Sequence, residues 1–192
     1  MMRSPLSISR RNIFAAAGLL ALLLFAPSLA GTAYILNSPD AFRKVSAWWM
    51  GAEYLGTKGV SMQTMANNCG PASLKMIFDH YGIPSTIVEI YKDVGLTSRG
   101  SSMLSLKNMA ERKGLGVVGW RYTISDFIKA PKPAIVFVHG DHFAVADSVT
   151  PGGFVIFSDT ALGKLKMSLS DFQKMWKGET LVFNKHLHKK SK

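Results

Sequence analysis

The 192-residue chain reads as an α+β domain, with helices first and a mostly antiparallel sheet second. Three observations predict this. Apolar residues recur at helical spacing between Cys69 and Lys113. From Gly116 onward they fall instead into short β-rich runs separated by glycine and proline. Hydrophobic residues make up 47% of the chain, enough to build a core rather than leave the chain disordered.

Each element follows from local chemistry. Asn37 to Thr57 reads as a linker with a short amphipathic turn around Phe42, Val45, Trp48 and Trp49, and residues 59–68 as an extended, Met-rich approach. A helix is predicted from Cys69, with Ala72, Leu74, Ile77 and Phe78 on its apolar positions. Pro71 fits its first turn, where the missing N–H costs nothing, and Gly82 and Pro84 stop it. Thr86–Val94 and Ser102–Lys113 are two further helices, the second ended by Gly114. Gly116–Tyr122 is a strand, and Ser125 caps a short helical turn through Ile128. Pro133–His139 and His142–Ser148 are strands joined by the two-residue turn Gly140-Asp141. Gly153–Asp159 and Lys164–Ser168 follow as strands. Ser170 caps a helix through Phe172 and Trp176, ended by Gly178, and Thr180–Asn184 closes the domain as a strand.

The N-terminus is a targeting segment. Arg3, Arg10 and Arg11 precede an apolar run from Ile13 to about Ala26, and Ser28 and Ala30 are the small residues that signal peptidase requires. Residues 1–30 therefore read as a signal peptide, and Ser9-Arg10-Arg11-Asn12-Ile13-Phe14 resembles a twin-arginine export signal. The competing reading keeps residues 13–36 as an uncleaved membrane anchor, since about 20 apolar residues span a bilayer. Either way the domain at 59–184 is expected to be exported, to the periplasm or another extracytoplasmic site.

The net charge of +11 permits an acidic partner. Lysines and arginines are scattered, however, with no basic stripe and no interleaved stacking aromatics, so no nucleic-acid partner is expected. Residues 185–192 form a basic tail, read as a frayed end with weak contact to anionic lipid as the sharper alternative. No cofactor is expected, and no metal: His139 and His142 have no third ligand at fitting spacing.

The chain has a single cysteine, Cys69. In an oxidising compartment an unpaired thiol is either buried and inert or kept for its chemistry. A nucleophilic thiol needs a lowered pKa, and a helix N-terminus supplies one; it also needs a base, an orienting group and an oxyanion donor. Cys69 opens a helix, and Gly70 leaves the backbone there open to a substrate. His142 begins a strand, Asp159 ends the next one, and Gln63 lies just before the cysteine.

The pattern Gln63-x5-Cys69-Gly70-x-Ala72-x-Leu74, followed by His80-Tyr81-Gly82, resembles the bacteriocin-processing cysteine peptidases, papain-like domains that cleave after double-glycine leaders. Pro133–Val136 leading to His142–Val145, and Asp159 followed by Gly163, Ser168, Phe172 and Trp176, extend the resemblance over about residues 60–183. It implies Cys69 as nucleophile, His142 as base, Asp159 as orienting acid and Gln63 as oxyanion donor, acting on a peptide or protein substrate after small residues such as glycine. Asn68 stands where the family often has an acid, which makes it, with Gly70, a candidate substrate-binding position. Thr160 stands where proline is common. Two other readings keep the same residues or fold: an amidase or acyltransferase, and a peptide-binding module that does not cut.

Overall fold

The computed structural model describes residues 31–34 and 37–185. The signal-or-anchor segment lies outside the described residues except for positions 31–34, and the basic tail lies outside them except for Lys185. Among the described residues no helix is long and apolar enough to cross a membrane. The chain divides into two compact units at Phe42 and Arg43. The described part of the first is mainly helical, and the sheet belongs to the second.

In chain order the elements are helix α1 (Pro39–Trp49), strand β1 (Ala52–Gly56), helices α2 (Cys69–Tyr81), α3 (Ile87–Asp93) and α4 (Met103–Arg112), then β2 (Leu115–Arg121) and α5 (Ile124–Lys129). These are followed by β3 (Ala134–Val138), β4 (His142–Val149), β5 (Phe154–Asp159), β6 (Gly163–Ser168), α6 (Leu169–Met175) and β7 (Trp176–Lys185). The seven strands form one sheet in the order β1-β6-β5-β4-β3-β7-β2, and every neighbouring pair is antiparallel.

The central strands are apolar at consecutive positions because both faces of the sheet are covered. On β3, Ile135 joins one core and Val136 and Val138 join the other, as the two-residue side-chain period requires. Phe143 and Val145 of β4 alternate in the same way with Ala144 and Ala146. The first core packs α2, α3 and α4 through Leu74, Ile77, Phe78, Ile90, Leu106 and Met109. The second is an aromatic cluster: Phe127 of α5 stacks on Phe172 of α6 with centroids 5.4 Å apart and meets Trp176 at 4.5 Å.

The structure differs from the sequence expectation in five places. Residues 52–56 are not linker: β1 pairs with β6 across more than a hundred residues of chain, a non-local partnership with no local signature. The turn around Phe42 is a full helix of 11 residues. The cap of α5 is Thr123, whose hydroxyl accepts the Asp126 N–H, not Ser125; likewise Ser168 rather than Ser170 accepts the Asp171 N–H at the start of α6. In both cases the two hydroxyls bond each other, and the one in extended backbone takes the cap. Finally, α6 stops at Met175, because Trp176 is already extended and pairs with Val138 as the first residue of β7. Gly178 lies inside that strand at φ +109°, where a Cβ would stand 2.7 Å from the Tyr122 carbonyl oxygen.

Candidate active site

Cys69 is the first residue of α2. Asn68 precedes it as N-cap, without a capping hydrogen bond from its side chain. That side chain is fully buried and turned the other way: Oδ1 accepts the Met65 N–H at 3.2 Å and Nδ2 donates to Thr64 Oγ1 at 3.1 Å. Asn68 thus holds the approach loop closed against the helix start. Gly70, expected to open the backbone to a substrate, is itself covered. A Cβ there would fall 2.1 Å from Ser101 Oγ and 3.3 Å from both Leu106 and Phe143. The glycine is required by packing.

The register of β4 and β5 brings the base and the acid together. Ala144 pairs with Asp159, so the two-residue period places the side chains of His142 and Asp159 on the same face. His142 Nε2 lies 3.1 Å from Asp159 Oδ2. The contact is an ion pair with the N–H directed off the carboxylate, which leaves Nε2 buried without an aligned acceptor. The same imidazole interacts with the Cys69 thiol, each shifting the other's protonation. With Nε2 on the carboxylate, Nδ1 is the nitrogen left for the sulfur. Asp159 is held in turn through Oδ1, which accepts the N–H groups of Ala161 at 2.8 Å and Leu162 at 2.9 Å.

The electrostatics favour a charged pair. Burial pushes the Cys69 thiol up, but the His142 hydrogen bond, the Phe143 N–H, the imidazolium charge and the Gly70 N–H together bring it below its ordinary value. Burial pulls His142 down, and the nearby Asp159 carboxylate and Cys69 sulfur outweigh it, holding the imidazole up at about 10. Asp159 is raised by burial and lowered further by His142 and by the Ala161 and Leu162 N–H groups, for a net fall. These directions all favour the charged forms: thiolate, imidazolium and carboxylate side by side. Such a thiolate attacks an acyl carbon, and the imidazolium beside it protonates the leaving group.

Gln63 joins the site through the residue after the acid. Its N–H donates to the Thr160 carbonyl at 2.8 Å, and its Oε1 accepts the Thr160 hydroxyl at 2.9 Å. All four candidate catalytic positions therefore fall in one connected cluster. Beside Cys69 a cleft of about 420 Å³ is lined by Asn67, Arg99, Ser101, Phe137, Asp141 and Phe143, among others. Its loop wall is tied by Asn67 Nδ2, which donates to the Thr97 carbonyl at 2.8 Å. Sequence reasoning missed Ser101 and the Phe143 N–H. Both fall within the family-like segments, but neither role shows in the residue type, since one acts by filling the Gly70 site and the other through its backbone.

The sequence profile of the peptidase C39 family matches residues 57–188. The chain belongs to the peptidase C39 family. It is a cysteine peptidase, a hydrolase with the papain-like fold of mixed helix and antiparallel sheet. It resembles the crystal structure of a double-glycine motif protease from an AMS/PCAT transporter, solved with its leader peptide. The TM-score is 0.62 at 28% identity, over 66% of this chain and 94% of that one. Among curated proteins, an uncharacterised protein of Methanothermobacter thermautotrophicus is 31% identical over 67% of this chain and 89% of its own length. The probable functional amyloid protease FapD of Pseudomonas aeruginosa is 31% identical over 58% of this chain, which spans 54% of it. The lactococcin-G-processing and transport ATP-binding protein LagD of Lactococcus lactis is 28% identical, and the chain matches only 19% of its length.

Proposed function

We propose that this peptidase is exported and cleaves a peptide bond after a small residue, glycine above all, in another exported polypeptide. Cys69 is the nucleophile, His142 the general base and then acid, Asp159 the group that orients and charges His142, and Gln63 the oxyanion donor. Attack by the Cys69 thiolate on the scissile carbonyl forms an acyl-enzyme. His142 gives its proton to the departing amine, and water, deprotonated by the same imidazole, releases the acid.

The observation that carries the reading is the chain of contacts from the thiol through His142 to Asp159, with the imidazole held up at about 10. The preference for glycine is supported by likeness to the double-glycine motif protease. Export is supported by the arginines and apolar run of residues 1–30, and retention of that segment would tether the domain to a membrane. Asn68 acts in this reading through the loop that it closes, and Gly70 through its N–H on the sulfur.

The test compares the N-termini of all exported proteins in the parent cell with those in a Cys69→Ala strain. A protein whose N-terminus shifts from a post-glycine site to an uncut form identifies the substrate. Identical N-termini in the two strains would contradict peptidase action and leave the non-cutting binding module.

A further inference from the structure

An amide side chain serves an oxyanion only by its nitrogen. Gln63 has two ends of opposite character: Oε1 only accepts and Nε2 only donates. A carboxamide free to rotate turns either end toward a developing negative charge, and the oxygen end repels it. Something must therefore fix which end faces the scissile carbonyl.

The structure contains such a device. The Thr160 hydroxyl donates to Gln63 Oε1 at 2.9 Å, which occupies the oxygen end and leaves Nε2 as the end available for an anion. The Thr160 carbonyl takes the Gln63 N–H at 2.8 Å, so the residue is held at backbone and side chain by the same partner. Thr160 is fully buried, with no solvent to compete for its hydroxyl. It also directly follows Asp159, whose Oδ1 is fixed by the next two N–H groups of the turn. The β5–β6 turn thus sets the carboxylate that orients the base and the hydroxyl that orients the amide.

We infer that Thr160 is a positioning residue for the oxyanion site, acting through Gln63 to present the amide nitrogen to the tetrahedral intermediate. The inference rests on the reading of Gln63 as oxyanion donor. It predicts a defect confined to steps in which an oxyanion forms, with substrate binding and thiolate reactivity untouched.

The experiment uses the full chain and three substitutions: Thr160→Val, which keeps the shape and removes the hydroxyl, Thr160→Ser, which keeps the hydroxyl, and Gln63→Ala. The probes are a fluorogenic Gly-Gly amide for kcat and KM, a Gly-Gly aldehyde, and iodoacetamide. The aldehyde adds the Cys69 sulfur to its carbonyl carbon, the C=O double bond becomes C–O, and the thiol proton passes through His142 to that oxygen. Its affinity therefore reads the oxyanion site, whereas alkylation by iodoacetamide reads only the thiolate. Thr160→Val is expected to lower kcat and aldehyde affinity about tenfold, less than the hundredfold or more expected when an oxyanion donor is deleted. KM and the alkylation rate should stay constant, Thr160→Ser should restore both losses, and Thr160→Val should add nothing in a Gln63→Ala background. Thr160→Val with wild-type aldehyde affinity, beside a weakened Gln63→Ala, would overturn the role of Thr160 alone. Wild-type aldehyde affinity in Gln63→Ala would overturn the oxyanion reading of Gln63, and the role of Thr160 with it.

Discussion

At the scale of single residues, the site depends on charges that burial alone would suppress. Cys69, His142 and Asp159 are each penalised by desolvation; His142 and backbone N–H groups oppose that penalty at the thiol and at the carboxylate, and Asp159 and Cys69 oppose it at His142. The pH dependence follows by sign. His142 titrates at about 10 in the fold, above its ordinary 6.5. Its charge therefore stabilises the native state fully below 6.5 and ceases to do so as the pH rises through about 10. Cys69 and Asp159 have lowered values, so their contributions are present above their ordinary 9.0 and 3.8 and vanish as the pH falls through the folded values. Hydrolysis should rise with pH as the thiol ionises, on a limb below 9.0, and decline as His142 loses its proton near 10. Asp159→Ala removes the carboxylate that does most to hold His142 up. The declining limb should then move toward 6.5, read from the pH–rate profile of a Gly-Gly amide. An unmoved limb would mean that Asp159 does not set the charge of His142.

At the scale of elements, α2 shows most clearly what was legible in the sequence and what was not. Its span, its proline in the first turn and its Gly82 stop were all readable. Gly82 adopts φ +70°, and its N–H returns to the Phe78 and Asp79 carbonyls as a left-handed cap does. The reason for Gly70 was not readable, because the atom that excludes a side chain there belongs to Ser101, thirty-one positions away. Gly70→Ala should therefore lower stability by about 1–3 kcal/mol, the usual cost of forcing extra volume into a packed site. Ser101→Gly in the same chain should recover part of the loss, with Leu106 and Phe143 still at 3.3 Å. Denaturant melts of the two variants measure this. An equal loss in both would show that the helix start, rather than Ser101, resists the methyl group.

At the scale of the whole molecule, the candidate catalytic cluster is a product of topology. The thiol comes from the start of α2, the base from the start of β4, the acid from the end of β5, and the amide from the loop before α2. The antiparallel pairing of β4 with β5 brings His142 to Asp159, the packing of α2 on the sheet brings Cys69 to them, and the bonds to Thr160 bring in Gln63. The order of these residues along the chain, with the family resemblance, was enough to single them out as candidates, because Cys69, His142 and Asp159 each sit at an element end. Two things escaped the sequence. β1 was hidden because five residues with one half-buried face have no local signal and are defined by their partner β6. The bond from Thr160 to Gln63 was hidden because it links positions 97 residues apart.

The central claim is that folding converts Cys69 into a thiolate paired with His142. Cys69 is the only cysteine, so alkylation by iodoacetamide reports on it alone. The measurement is the alkylation rate against pH for the native chain, for the chain unfolded in guanidinium, and for native His142→Ala. The account predicts a midpoint below 9.0 for the native chain, one near the ordinary thiol value for the unfolded chain, and a rise for His142→Ala, where burial is no longer opposed by the imidazolium. A native midpoint equal to the unfolded one, unchanged by His142→Ala, would contradict it.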